Sequence, residues 1–284
     1  MPLIILSFLM LCCLAANSLL TRAGVLDGTD PMAFAAIRVA AGAAVLWALA
    51  ARRGITFTGL PRWGAVAGLV VYLAGFSLAY RTLDAGLGAL ILFATVQIAL
   101  FAIGLARGEA AGLARIGGMV LALIGLTWLL WPGEATALSP LDAALMVTAG
   151  LGWAGYTFAG KFEPRPLAGT AGNFLLATAA FALLAPLWWG AEVTAAGLVL
   201  ALASGGIASG LGYAMLYRLL PRMEVTTAGL AQLSVPVLAI LGGAALLAEI
   251  PTSRQLAASS LVLLGIAWAV LGPARQVTKR SNGS

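Results

Sequence analysis

Tyr72, Phe76 and Tyr80 recur at intervals of four residues, a spacing that places them on one face of a helix. Ser209, Tyr213 and Tyr217 repeat that spacing 137 residues later. An aromatic wall of this kind suits an organic molecule with an apolar side chain, and tyrosine hydroxyls can orient its polar end. At a membrane boundary the same tyrosines serve as interface anchors. Both readings stay open for Tyr80 and Tyr217. Other apolar stretches carry isolated polar or aromatic groups: Asn17, Ser18, Thr95, Gln97, Trp153, Tyr156, Thr157, Asn173, Gln232 and Ser234. Each can line a cavity or bond one helix to another. Arg38 is the one charge set well inside an apolar run, about 10 Å from its start at 1.5 Å per residue. It needs carbonyls, water or a carboxylate around it. It is either a structural clamp or a fixed counter-charge for a substrate carboxylate.

What is missing narrows the chemistry further. The chain has no histidine, so the commonest general base and metal ligand is absent. No aspartate or glutamate falls in the middle of an apolar run. That disfavours proton coupling through a buried acid and a preference for lipophilic cations. No metal-ligand cluster and no paired carboxylates point to an enzyme. Cys12 and Cys13 are adjacent in an apolar run, so they read as small buried hydrophobes rather than a disulfide. No cofactor or metal is expected. A neutral cavity of hydroxyls, amides and rings suits a zwitterion.

The elements that must carry these residues follow from composition. Of 284 residues, 62% are hydrophobic and 9% charged, against roughly 25% charged in soluble proteins. Lipid is therefore the solvent for most of the surface, and no nucleic-acid partner is implied by the net charge of +6. Spans need about 20 apolar residues. Ten such runs emerge, near 2–21, 31–51, 63–82, 86–106, 112–131, 142–160, 170–189, 195–217, 227–248 and 254–272. The first lacks a basic flank and is expected to be a retained helix rather than a signal peptide. The fold class is thus an all-α polytopic membrane protein. Within the eighth run, Gly206 and Gly210 are four apart, a spacing that lets helices approach closely.

With the N-terminus in the cytoplasm, twelve basic residues fall inside and three, Arg22, Arg81 and Arg254, outside. The excess predicts an N-in, C-in topology. Arg81 and Arg218 then read as interface anchors on opposite faces.

The sequence also repeats weakly. Residues 86–131 align with 226–271 at an offset of 140, which superposes Glu109 on Glu249, Gly125 on Gly265 and Trp128 on Trp268. At 137, Tyr80-Arg81 falls on Tyr217-Arg218; at 136, Asn17 falls on Trp153. Two halves are predicted, 1–135 and 136–284, with five helices each. Five is odd, so the second half enters from the opposite side. That is an inverted repeat, a recurrent plan in secondary transporters.

These features resemble the drug/metabolite transporter superfamily and its EamA-type ten-helix exporters. The resemblance rests on "PMAFAAIRVAAGAAVLWA", "LAYRTLDAGLGALILF", "TTAGLAQLSVPVLAILGGAALLAE" and "LVLLGIAWAVLGP". It covers nearly the whole chain. Helix 9 carries the family-like helix-bending Pro236, whereas the aligned position of helix 4 is Val96. The resemblance is greatest to the bacterial aromatic amino acid exporters. It implies a monomeric exporter in the bacterial inner membrane, working by alternating access on an amino acid or similar small metabolite. Drugs and nucleotide- or nucleobase-type metabolites are the alternative cargo. The expected cavity lining is Asn17, Phe76, Tyr80, Gln97, Trp153, Tyr156, Tyr213, Tyr217 and Gln232.

Overall fold

Short polar side chains and prolines start the helices at one end of the bundle. Asp30 accepts hydrogen bonds from the amides of Met32 and Ala33 at 2.8 and 2.9 Å, beside Pro31 at the first helical position. Ser139 accepts from the Asp142 amide beside Pro140, and Thr194 accepts from the Gly197 amide. Thr252 and Gln255 exchange side chain to backbone bonds, a reciprocal capping box.

The computed structural model describes residues 3–57, 60–108, 111–131, 139–219 and 234–271. Its helices are α1 (Leu3–Leu26), α2 (Pro31–Ala50), α3 (Leu60–Ala79), α4 (Ala85–Ala106), α5 (Leu113–Leu130), α6 (Pro140–Gly160) and α7 (Pro166–Leu184). Then come α8, α9 (Ser234–Leu246) and α10 (Ser253–Leu271). The eighth helix runs on through three pieces: α-helical Ala195–Ala203, π-helical Ser204–Leu211 and α-helical Gly212–Leu219. Among the described residues there is no strand. Among the described residues, eight helices are long and apolar enough to cross a membrane. The other two are α6, whose 21 residues include Asp142, Thr148, Trp153, Tyr156 and Thr157, and α9, described over 13 residues.

Tryptophans mark both ends of the bundle. Trp128, Trp131 and Trp189 are exposed at the end where α2 and α10 begin; Trp47, Trp63 and Trp268 are exposed at the other. Such belts sit at the headgroup level of a bilayer.

The bundle is assembled by close crossings. α3 packs on α6, α5 on α10 and α2 on α7, while α4 meets α6 and α9, and α1 meets α8 and α9. Glycine permits the first two. A Cβ on Gly68 would lie 2.7 Å from the Gly152 carbonyl oxygen, and a Cβ on Gly152 would lie 2.7 Å from that of Gly68. Gly118 and Gly265 oppose each other's carbonyls in the same way across α5 and α10. Side-chain-free backbone contact of this kind drives helix association in lipid.

At the end that holds the α1–α2, α3–α4, α7–α8 and α9–α10 connections, polar bonds tie distant segments together. The Asp30 amide donates to the Glu192 carbonyl at 2.9 Å, and Thr194 donates to Asp27 at 2.5 Å. Arg81 pairs with Asp142 at 3.0 Å, and Thr82 donates to the same carboxylate at 2.8 Å. Arg81 is therefore an ion-pair partner of α6 rather than a free interface anchor. Arg22 pairs with Glu249 at 2.8 Å. Glu249 follows Ala248, a non-glycine residue in the left-handed region at φ 55°. The amides of Leu247 and Glu249 both return to the Gly243 carbonyl, closing the end of α9. An L-residue pays roughly 1–2 kcal/mol for that backbone. Ala248→Gly should therefore stabilise the protein by about 0.5–1 kcal/mol once glycine's larger unfolded entropy is counted. A higher melting temperature in detergent is the expected readout.

Candidate functional site

Spacing of four puts Tyr72 and Phe76 of α3 and Tyr80, just past its last residue, on one face, and all three are buried. Their rings stack in series, Tyr72 to Phe76 at 5.2 Å and Phe76 to Tyr80 edge-on at 4.8 Å. Tyr80 is fully buried, and its hydroxyl donates to the Ala85 carbonyl at 3.2 Å. It is a core residue, not a member of an aromatic belt. Trp153 of α6 reaches across to Tyr72 at 4.8 Å, to Tyr156 at 5.2 Å and to Tyr213 of α8 at 5.3 Å. Phe174 of α7 closes the cluster edge-on to Tyr213 at 5.7 Å. The Tyr156 hydroxyl donates to Thr170 at 3.4 Å. In this conformation five residues of the expected lining, Phe76, Tyr80, Trp153, Tyr156 and Tyr213, join Tyr72 in a packed aromatic cluster whose rings touch one another.

Arg38 enters this cluster from α2 and is 0% exposed. Its Nη2 donates to the Tyr72 hydroxyl at 2.8 Å, and its Nε donates to Ser209 Oγ at 3.3 Å. The guanidinium lies 4.9 Å from the centre of the Phe76 ring and 5.4 Å from that of Tyr72, within range of cation–π attraction. Ser209 in turn donates to Asn17 Oδ1 at 3.1 Å, as does Ser204 at 2.9 Å. Asn17 donates to the Cys13 carbonyl at 3.4 Å.

The π-helical stretch explains how Asn17 can serve both serines. Residues five apart diverge on an α-helix, but an i→i+5 hydrogen-bonding pattern stacks them on one face. Ser204 and Ser209 are five apart. The π segment thus turns both hydroxyls toward α1. It also brings Gly205 against α2, where an added methyl would overlap the Arg38 carbonyl oxygen. The close approach anticipated at Gly206 belongs to its neighbours. A Cβ on Gly206 would meet only Val45, at 3.6 Å, whereas one on Gly210 would sit 2.9 Å from Val45.

The centre has two arms. One runs from Arg38 through Ser209 to Asn17; the other runs from Arg38 through Tyr72 to Trp153. Tyr72 and Ser209 share the 137-residue spacing, and Asn17 and Trp153 share the 136-residue spacing. The first arm is made of small polar groups, the second of rings.

The structure therefore brings together Asn17, Arg38, Phe76, Tyr80, Trp153, Tyr156 and Tyr213. Gln97 lies half-buried on α4, and no hydrogen bond or ring contact given for the cluster includes it. Pro236 is buried on α9. Tyr217 lies in the closing turns of α8. Gln232 lies outside the described residues. Ser204, Ser209 and Phe174 were not singled out as cavity residues by sequence. The spacing match of Ser209 to Tyr72 was the available signal.

Two arginine networks flank the centre. Toward the end where α2 and α10 begin, Arg22 donates to Glu249 and to the carbonyls of Tyr80 and Arg81 at 2.8 and 3.1 Å, with Asp84 at 3.8 Å. The second oxygen of Glu249 accepts the Ala85 amide at 2.7 Å, at the start of α4. Toward the other end, Arg62 donates to Glu163 at 2.5 Å, to Asn173 at 2.9 Å and to the Gly169 carbonyl at 2.8 Å. Asn173 thus serves an ion-pair network rather than the centre.

Residues 142–271 match the EamA-like transporter family. A protein of Pseudomonas aeruginosa, described as uncharacterized, is 44% identical over 274 residues, covering 95% of this chain and 94% of its own. A protein crystal structure is similar over 94% of this chain and 98% of its own, with a TM-score of 0.68 at 20% identity. That last likeness is one of fold.

Proposed function

We propose that this chain, which belongs to the EamA-like transporter family, is a secondary transporter that exports amino acids, aromatic and other neutral ones foremost, across a bacterial inner membrane. Family membership makes it a multi-pass transporter of small molecules rather than an enzyme. The amino-acid assignment rests on one observation: six aromatic rings from α3, α6 and α8 meet beside neutral polar groups at the centre of the bundle. Rings can receive an apolar or aromatic side chain, and hydroxyl, amide and guanidinium groups can receive a zwitterionic end. In the structure described here the rings occupy one another, so transport requires α3, α6 and α8 to part around the substrate.

Alternating access would come from two inverted halves, 1–135 and 136–284. Matching contacts support this reading. Gly265 abuts Ala122, and Gly125 abuts Val262; adding 140 to the first-half numbers interchanges the two contacts. The two arms around Arg38 obey the repeat spacing as well. With both termini in the cytoplasm, the Arg22–Glu249 network faces the periplasm and the Arg62–Glu163 network faces the cytoplasm. This conformation has both networks formed.

Counterflow in proteoliposomes tests the assignment. Vesicles loaded with unlabelled tryptophan, methionine or threonine should accumulate the labelled amino acid. Trp153→Ala removes three ring contacts, each worth about 0.5–1.5 kcal/mol, and should slow tryptophan counterflow by about tenfold or more. Transport of ethidium-like cations or nucleobases, with no amino-acid counterflow, would move the chain to the drug or nucleotide type of cargo.

A further inference from the structure

Arg38 is the one buried arginine among the described residues that meets no carboxylate. The ion pairs there belong to Arg22, Arg62 and Arg81. The buried Arg22 and Arg62 each hold an acid and at least one backbone carbonyl. Arg38 instead holds two neutral hydroxyls, Tyr72 and Ser209, and its Nη1 has no hydrogen-bond partner. No backbone carbonyl clamps it. A guanidinium keeps its charge when buried, so a full positive charge with an unfilled donor edge stands in the aromatic cluster. Arg62 also leaves one donor, its Nε, without a partner, but its charge is met by Glu163; the charge of Arg38 is met by no acid among the described residues, an arrangement unlike that of a buried structural ion pair. It resembles half of a charge pair.

We propose that the Nη1–Nη2 edge of Arg38 is the docking point for the carboxylate of the substrate. The proposal rests on the reading of this chain as an amino-acid transporter and adds the group by which that substrate is recognised. A planar carboxylate fits the fork of a guanidinium through two parallel bonds. The Tyr72 hydroxyl, now accepting from Nη2, can turn its own proton to the incoming carboxylate. Ser209 stays on Nε and holds the plane of the guanidinium. The substrate's side chain then lies toward Trp153 and Tyr213, on the ring-bearing arm. Cations gain nothing at this edge, and neutral molecules gain at most the weaker hydrogen bond of an uncharged carbonyl. The anion therefore separates amino-acid cargo from cationic drugs at the same aromatic site.

Two measurements test this. In the first, unmodified protein in proteoliposomes performs labelled tryptophan counterflow against two competitors. Indole-3-propionate keeps the carboxylate and lacks the amine; tryptophan methyl ester keeps the amine and lacks the carboxylate. Indole-3-propionate should compete comparably to tryptophan. The ester should compete about 10- to 100-fold more weakly, the range expected for losing a hydrogen bond to a charged group. Equal competition by the ester overturns the proposal. In the second, purified protein is melted with indole-3-propionate or with indole-3-propionamide. The acid should raise the melting temperature and the amide should not. Arg38→Lys should keep part of the shift and Arg38→Gln should lose it, with both variants checked for monodispersity. A shift equal for acid and amide, or absent for both, or retained in Arg38→Gln, overturns the carboxylate site. Because melting needs no transport, a carboxylate-specific shift without amino-acid counterflow would reject the amino-acid reading and leave the site standing.

Discussion

Membranes expressing Gly205→Val should contain little folded protein. The reason is local. A methyl at position 205 would overlap the Arg38 carbonyl oxygen and sit 2.7 Å from Ala41 Cβ. The obstacle is the backbone of α2, which cannot swing aside as a side-chain end can. α2 and α8 must separate, and the separation pulls Ser209 from Arg38 and Ser204 from Asn17. Overpacking alone costs about 1–3 kcal/mol, and each abandoned buried polar group adds roughly 1–3 kcal/mol. Size-exclusion profiles and melting curves in detergent measure the loss. Gly206→Ala is the control. Its Cβ would meet Val45 at 3.6 Å, ordinary contact, so its melting temperature should stay near that of the parent. A normal profile for Gly205→Val would mean that α2 and α8 are not packed as described.

The second large effect concerns Arg22 and Glu249. Their pair joins α1 to the turn between α9 and α10, and through the Ala85 amide to the start of α4. Arg22→Ala leaves Glu249, whose side chain is 8% exposed, without its charge partner. Losing one member of such a pair costs about 3–5 kcal/mol. On the transport proposal that energy is removed from the conformation closed to the periplasm, so the open one gains population. Ser259 is buried and lines the small cleft beside Glu249. A Ser259→Cys probe, in a background without Cys12 and Cys13, should react faster with an impermeant maleimide once Arg22 is replaced. Swapping the charges, Arg22→Glu with Glu249→Arg, should not restore slow labelling. Arg22 also donates to two carbonyls and Glu249 also accepts an amide, and neither bond survives the exchange. Restoration by the swap would reduce the network to a simple pair of charges.

Helix positions were legible because lipid imposes length and hydropathy on every span. The predicted run 31–51 became Pro31–Ala50, and 254–272 became Ser253–Leu271. The aromatic stripe was legible because spacing of four is a property of one helix. What escaped the sequence joins residues far apart along it. Arg22 and Glu249 are 227 residues apart; the first reads only as an outer basic residue and the second only as the repeat match of Glu109. Arg81 read as an anchor because nothing local names Asp142 as its partner. Asn17 was identified, but its partners Ser204 and Ser209 depend on the π-helical pitch, which a Gly/Ser-rich run does not announce. Arg38 reads from sequence as either a clamp or a counter-charge, and no local pattern names Tyr72 and Ser209 as its partners.

The Gly118–Gly265 crossing has one more consequence. α5 and α10 lie against each other and reach the other helices chiefly through α4. The pair projects from the bundle with Leu123, Ile124, Trp128 and Trp268 exposed. Over the described residues its helices have 18 and 19 residues, about 27 Å at 1.5 Å per residue, against a hydrocarbon core of about 30 Å. Acyl chains must compress around this fin, and any tilt of the pair changes that compression. The bilayer then acts as a spring in series with the carrier, so its turnover becomes a function of lipid chain length as well as of its own side chains.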